Sequence, residues 1–271
     1  MPTEMRVKNE LEDGISKLDD ELETNIEILK LSASSMKTYD QCPKKYYYNY
    51  IAKEERKQWA HFDLGNLCHR TLEIFHQVYI EEGTSKRTLS KLMSYSFSEA
   101  RKEFEGLDNS IVIEAKDLVQ NYLKNVSRNG MPLVKGVETS FNLTLESDIL
   151  VRGFLDRIDI LKDGRFHIVD YKTTKNTKYL DPFQLLIYGL WLQHEYPHVE
   201  NFKASYILLR HGSKLKSYDF NTEDIEKCKK KIIKYANNIN TSMSEDNWIP
   251  IPGPLCNWCD FQSICPTQKA W

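Results

Sequence analysis

An α/β domain is the fold class that the sequence predicts, on three observations. The hydrophobic period is helical over most of residues 32–127, breaks at Gly130-Met-Pro132, and changes to short β-like runs from Lys135. Beyond residue 173, helical and strand-like segments alternate, as in a sheet with helices packed against it. At 271 residues and 41% hydrophobic, the chain is long enough to bury the core of one large domain.

Residues 1–30 read as a charged N-terminal arm preceding a single domain over 31–271. The arm carries nine acidic and four basic residues, a net −5 in a chain of −2, so the remainder stands at +3. Leu11, Ile15, Leu18, Leu22, Ile26 and Leu29 recur at loosely helical spacing, which fits an amphipathic helix or a partner-binding arm. Ser32 and its neighbours can cap a short helix that Pro43 stops, with Cys42 at its end. Helices are predicted at 64–80, 87–105 and 111–127. Strands follow at 136–145, 149–161 and 165–173, then a helix at 181–195 after Pro182, a strand at 202–210, an edge strand at 214–220 and a basic helix at 223–240.

No run approaches the roughly 20 apolar residues of a membrane helix, and no charged-then-apolar leader opens the chain. The expectation is a soluble protein without a membrane partner, in the cytoplasm or another reducing intracellular compartment. There, six cysteines serve as ligands or buried thiols rather than as a disulfide framework. A Gly-x-x-x-x-Gly-Lys-Ser/Thr phosphate loop is absent, which excludes a helicase motor of that type.

The strongest chemical signal is Asp156, Asp170 and Lys172. Asp170 and Lys172 lie two apart on one predicted strand and so share a face. A two-residue Asp163-Gly164 turn would put Asp156 opposite Tyr171 and divide the carboxylates. A three-residue Lys162-Asp163-Gly164 loop, with Gly164 at φ > 0, instead pairs Leu161 with Arg165 and Asp156 with Asp170. We adopt the second register, in which the two carboxylates can hold one ion. Oxygen ligands suit Mg²⁺ or Mn²⁺, and Lys172 would position or deprotonate a water and stabilise developing charge. Asp159, Asp163 and Asp181 read as ordinary surface charges.

Cys256-x2-Cys259-x5-Cys265 needs a fourth soft ligand, and Cys42 at the far end of the chain is the best candidate. Four thiolates fit tetrahedral zinc or an iron–sulfur cluster. Cys68 and Cys228 read as packed thiols. Lys44 to Tyr50 interleaves cations with tyrosines, suited either to single strands or to the core. Lys227, Lys229, Lys230, Lys231 and Lys234 form a basic face, for DNA or for solvent.

These features together resemble the RecB-type branch of the PD-(D/E)xK nuclease superfamily, in its iron–sulfur group with the AddB nuclease domain and the CRISPR-associated adaptation nuclease. The matching segments are Leu64-Gly65-Asn66-x-x-His69, Gly153-x-x-Asp156-Arg157, Asp170-Tyr171-Lys172-Thr173, Gln184-x-x-x-Tyr188 and the four cysteines. The resemblance implies a restriction-endonuclease-like mixed sheet flanked by helices, with a helical cap built from the N-terminal segment and the tail and bearing a [4Fe–4S] cluster on Cys42, Cys256, Cys259 and Cys265. It implies that His69, Asp156, Asp170 and the carbonyl of Tyr171 ligate the catalytic ion, that Lys172 is the catalytic lysine, and that Gln184 and Tyr188 face the substrate. Glu138 matches an acidic position beside the metal in some relatives. The pattern departs from the superfamily name in having Leu155 before Asp156 in place of proline, and Asp170 in place of glutamate.

The expected function is a metal-dependent DNA nuclease, an exonuclease acting on single-stranded ends in repair, recombination or end processing. The alternative is a non-catalytic DNA-end-binding subunit of a helicase–nuclease or CRISPR-adaptation-like complex.

Overall fold

In a computed structural model describing residues 28–56, 60–178 and 180–267, one six-stranded mixed sheet separates two apolar cores. Strand β1 (Leu29–Leu31) leads into helix α1 (Ala33–Gln41), where Ser32 and Ser35 form a reciprocal N-terminal cap. Cys42 ends α1. Pro43 does not simply stop the chain there but occupies the first turn of α2 (Pro43–Tyr46), where its missing N–H costs nothing, and a wider turn over Tyr47–Ile51 follows.

Three long helices come next, α3 (Ala60–Glu82), α4 (Leu89–Lys102) and α5 (Asn109–Asn129), and pack on one face of the sheet. Strands β2 (Leu133–Leu145), β3 (Ile149–Ile160) and β4 (Phe166–Lys172) form an antiparallel meander. Helix α6 (Phe183–Glu195) crosses the other face to β5 (Asn201–Leu208), which runs parallel to β4. Strand β6 (Lys214–Asn221) pairs with β5 as an edge, and α7 (Thr222–Ser244) packs beside α6. Glycine at position 189 of α6 is required by packing, since a Cβ there would lie 2.0 Å from the ring of Phe202 on β5.

The hairpin adopts the three-residue loop. Arg157 pairs with Val169 and Ile160 with Phe166, the Leu161 N–H donates to the Arg165 carbonyl at 2.9 Å, and Gly164 has φ +85°. One further step in this register sets Asp156 opposite Asp170. The regular ladder between β3 and β4 ends at Arg157, however, while β4 stays paired to β5 along its other edge as far as Lys172. On the same side of β3, β1 covers only Ile149–Val151. Among the described residues, 152–156 therefore have no strand partner on that edge, and a gap opens in the sheet beside Asp156.

One expectation is corrected and one open alternative is decided. Leu29, placed at helical spacing in the arm, is in strand β1, where pairing with Ile149 satisfies its backbone; arm residues 1–27 lie outside the described residues. The tyrosines after Lys45 are chiefly structural. Tyr46 and Tyr48 are buried, and Tyr46 and Tyr47 pack against Trp248.

Candidate active site

Three elements converge at the gap in the sheet. Helix α3 carries His69, whose Nδ1 lies 3.3 Å from Asp156 Oδ1. The other oxygen of Asp156 accepts the Tyr171 backbone N–H at 2.7 Å. Strand β2 adds Glu138. Its neighbours Val137 and Thr139 pair with Arg157 and Leu155, so Glu138 stands across from Asp156 at an interruption of the ladder. Glu138 has φ +44°, a conformation that non-glycine residues adopt at a cost and that recurs at functional sites.

One ligand atom each from His69, Glu138 and Asp156 lies within 4.8 Å of the other two, the only group of three or more His, Cys, Asp or Glu among the described residues to meet that spacing. Burial drives Glu138 up to about 7, with the charge of Asp156 adding to it. Burial works against a charge on His69, but the adjacent Asp156 outweighs it and raises the imidazole to about 9. Asp156 is itself held below the usual carboxylate range: burial opposes this, and His69 and the Tyr171 N–H prevail. A nitrogen and two carboxylates at this spacing form a donor set for a hard or borderline divalent cation.

Asp170 takes a different position. Its Oδ2 pairs with Lys172 Nζ at 2.7 Å. Lys172 also donates to Gln184 Oε1 at 2.9 Å, and Gln184 Nε2 donates to the Tyr188 hydroxyl at 2.6 Å. That hydroxyl lies 3.5 Å from Asp170 Oδ1 and closes a ring of four side chains. Gln184 and Tyr188, four apart on α6, share the helix face that makes this possible. Burial and the charge of Asp156 push Asp170 up to about 6 against the pull of Lys172. His69, Glu138, Asp156 and Lys172 line one open cavity of about 920 Å³.

Beneath the site lies a buried network. Arg157, 4% exposed, donates twice to Asp159, at 2.8 and 2.9 Å, and reaches the hydroxyls of Tyr122 and Tyr171. His76 joins at 2.8 Å from the Tyr122 hydroxyl. Asp159 is thus no surface charge but the counter-ion of Arg157, and the network holds Tyr171, whose N–H orients Asp156. The sequence carries only a hint of this network: Arg157 and Asp159 are two apart on a strand and so share a face, and His76 falls two helical turns after His69.

Cys42, Cys256, Cys259 and Cys265 line a separate cavity of about 280 Å³. The Ile251 N–H points to Cys42 Sγ at 3.5 Å and the Gly253 N–H to Cys256 Sγ at 3.3 Å. Cys68 and Cys228 are buried in the two cores, and burial pushes each up to about 12.

The family model of the PD-(D/E)XK nuclease superfamily matches residues 30–266. The chain belongs to that superfamily. As a PD-(D/E)XK nuclease it falls in a group that uses divalent metals such as Mg²⁺, in keeping with the donor set at His69, Glu138 and Asp156. Its sequence is 27% identical over 197 residues to a subunit of the ATP-dependent helicase/deoxyribonuclease of Streptococcus pyogenes serotype M12 (strain MGAS2096), and equally to its counterpart in serotype M49 (strain NZ131). Those alignments cover 67% of this chain and 18% of each relative, so the chain spans under a fifth of their length. Among solved structures, a candidate exonuclease from Eubacterium rectale superimposes with a TM-score of 0.52 over 88% of both chains at 12% identity, a likeness of fold. Among the described residues no helix is long and apolar enough to cross a membrane.

Proposed function

We propose that this PD-(D/E)XK nuclease is a divalent-metal-dependent deoxyribonuclease that trims single-stranded DNA ends. The observation that carries the reading is the placement of a His69–Glu138–Asp156 donor set and an Asp170–Lys172 pair around the gap in one sheet. His69, Glu138 and Asp156, with Asp170 and the Tyr171 carbonyl beside them, would hold a Mg²⁺ or Mn²⁺ ion, which when bound would supply Lewis acidity toward a phosphodiester and an acidified water. The protein's own groups do the positioning. Asp170 and Gln184 anchor the Lys172 ammonium, which donates hydrogen bonds to the attacking water and to charge growing on the phosphate. Tyr188 fixes Gln184 and faces the substrate strand with it.

The test is digestion of end-labelled single-stranded DNA with Mg²⁺ or Mn²⁺. Lys172→Ala is expected to lower the rate by about 10²- to 10⁴-fold while binding and the thermal midpoint are kept. Wild-type rates in that variant would remove Lys172 from the mechanism, and binding without cleavage by the wild type would favour a DNA-end-binding subunit. The name of the streptococcal relatives makes a helicase the natural class of partner.

We further infer that Cys42, Cys256, Cys259 and Cys265 hold a [4Fe–4S] cluster. Tetrahedral zinc with bonds of about 2.3 Å needs sulfurs about 3.8 Å apart. The four thiols share one cavity but no three of them meet a 4.8 Å spacing, which suits a larger inorganic cage. The cluster's role is to clip the tail to the end of α1. Anaerobically purified protein should be brown with four irons per chain, and Cys42→Ala should lose the iron and melt at lower temperature. A colourless protein containing zinc would overturn this.

A further inference from the structure

Phe154 stands in an unusual place. It is 63% exposed on a strand whose next five residues, Leu155 to Asp159, are all buried. It lies two residues before Asp156, a reach of about 6 to 7 Å along a strand, and on the stretch of β3 that has no partner on the gap side. Most importantly, it borders two cavities at once. One contains His69, Glu138, Asp156 and Lys172; the other, of about 570 Å³, contains Ser34, Gln184 and Tyr188. Phe154 is the ridge between them. Exposed single apolar residues are ordinary on protein surfaces, but this one flanks a polar site where a side chain without hydrogen-bonding groups contributes nothing to ion binding.

We propose that Phe154 is a specificity-determining residue that stacks on an unpaired nucleobase of the substrate and so sets the preference for single strands. The inference rests on the nuclease reading of the same site. A phosphodiester seated at Asp156 and Lys172 places the attached sugar and base within several ångströms of its phosphorus, the distance that separates Asp156 from Phe154. An aromatic face there accepts any base without regard to its sequence, whereas a base held in a duplex has its faces covered by its neighbours. The phenyl ring is hydrated in the free protein, and stacking removes that apolar surface from water on both partners.

The decisive experiment compares wild type, Phe154→Ala and Phe154→Trp on single-stranded oligonucleotides in which one abasic residue is moved stepwise from the end. The wild type should lose rate when the abasic residue reaches one position. Phe154→Ala should show a KM raised by roughly 5- to 150-fold on intact strands, no sensitivity at that position and a narrower margin over duplex DNA. Phe154→Trp should restore all three. In parallel, a 2-aminopurine moved stepwise from the end should be quenched at one position on binding to Lys172→Ala, which leaves the strand uncut, and not at that position on binding to Lys172→Ala/Phe154→Ala. A wild type that cleaves, with a Phe154→Ala variant matching it in KM and abasic profile, overturns the inference and leaves the nuclease reading intact. A wild type that binds and never cleaves overturns the nuclease reading, while the quenching comparison still decides the role of Phe154.

Discussion

His69 Nδ1 lies 3.3 Å from Asp156 Oδ1, joining the first long helix, α3, to strand β3. With Glu138 beside them, this contact brings a nitrogen and two carboxylates from three separate elements to one point. Removing the central member should dismantle the donor set. Asp156→Ala is expected to weaken Mn²⁺ binding by more than about 100-fold in calorimetric titration, whereas Asp163→Ala, an exposed loop change, should leave it unaltered. Equal affinities in the two variants would place the ion elsewhere.

Gln184 couples Lys172 to Tyr188 through bonds of 2.9 and 2.6 Å. Replacing it with alanine frees the ammonium from one of its two anchors while Asp170 keeps the other. Steady-state kinetics should show kcat reduced on the order of 10- to 100-fold, with KM changed far less. A pure rise in KM would make Gln184 a binding residue only.

His167 gives the fold a pH dependence of its own. Burial, then the charge of Arg157, lowers its imidazole from 6.5 to about 4. The folded state therefore resists a proton that the unfolded chain accepts. Stability from this group is complete above about pH 6.5, falls as pH drops toward 4, and is flat below that, with a total loss of about 3 kcal/mol at most. Urea denaturation at pH 7 and pH 4.5 should show a smaller difference for His167→Gln than for the wild type.

Gly189 and Phe202 test the packing between α6 and β5. A Cβ at 189 meets the ring at 2.0 Å, so Gly189→Ala should destabilise by about 1 to 3 kcal/mol or more through overpacking. Phe202→Leu in the same chain should return part of that loss, a non-additive pair in denaturant midpoints. Strict additivity would mean that the helix shifts away instead.

Local pattern explains why the hairpin was legible. A glycine suited to φ > 0 and a period of two fix the Lys162–Gly164 loop, and the loop fixes which residues face each other across β3 and β4. Glu138 faces Asp156 through the register of the β2–β3 hairpin, but local pattern could not make it a ligand, because that requires His69 of α3 to reach the same point. Nor could local pattern separate Asp159 from an ordinary surface carboxylate. Burial of Arg157 and Asp159 follows from three helices covering that face of the sheet, a long-range event with no local period.

The sequence by itself determined the alternation of elements, the Asp170–Lys172 spacing, the loop that brings Asp156 toward them, and the family signature. Those depend on contacts within a turn, a strand or a hairpin, where side-chain period alone sets direction. Only the tertiary structure decided that Asp170 pairs with Lys172 while Glu138 joins His69 and Asp156, that a gap opens along β3, and that Phe154 stands exposed beside it. Each of these follows from which distant strand ends where, and that is set by how two cores pack against one sheet.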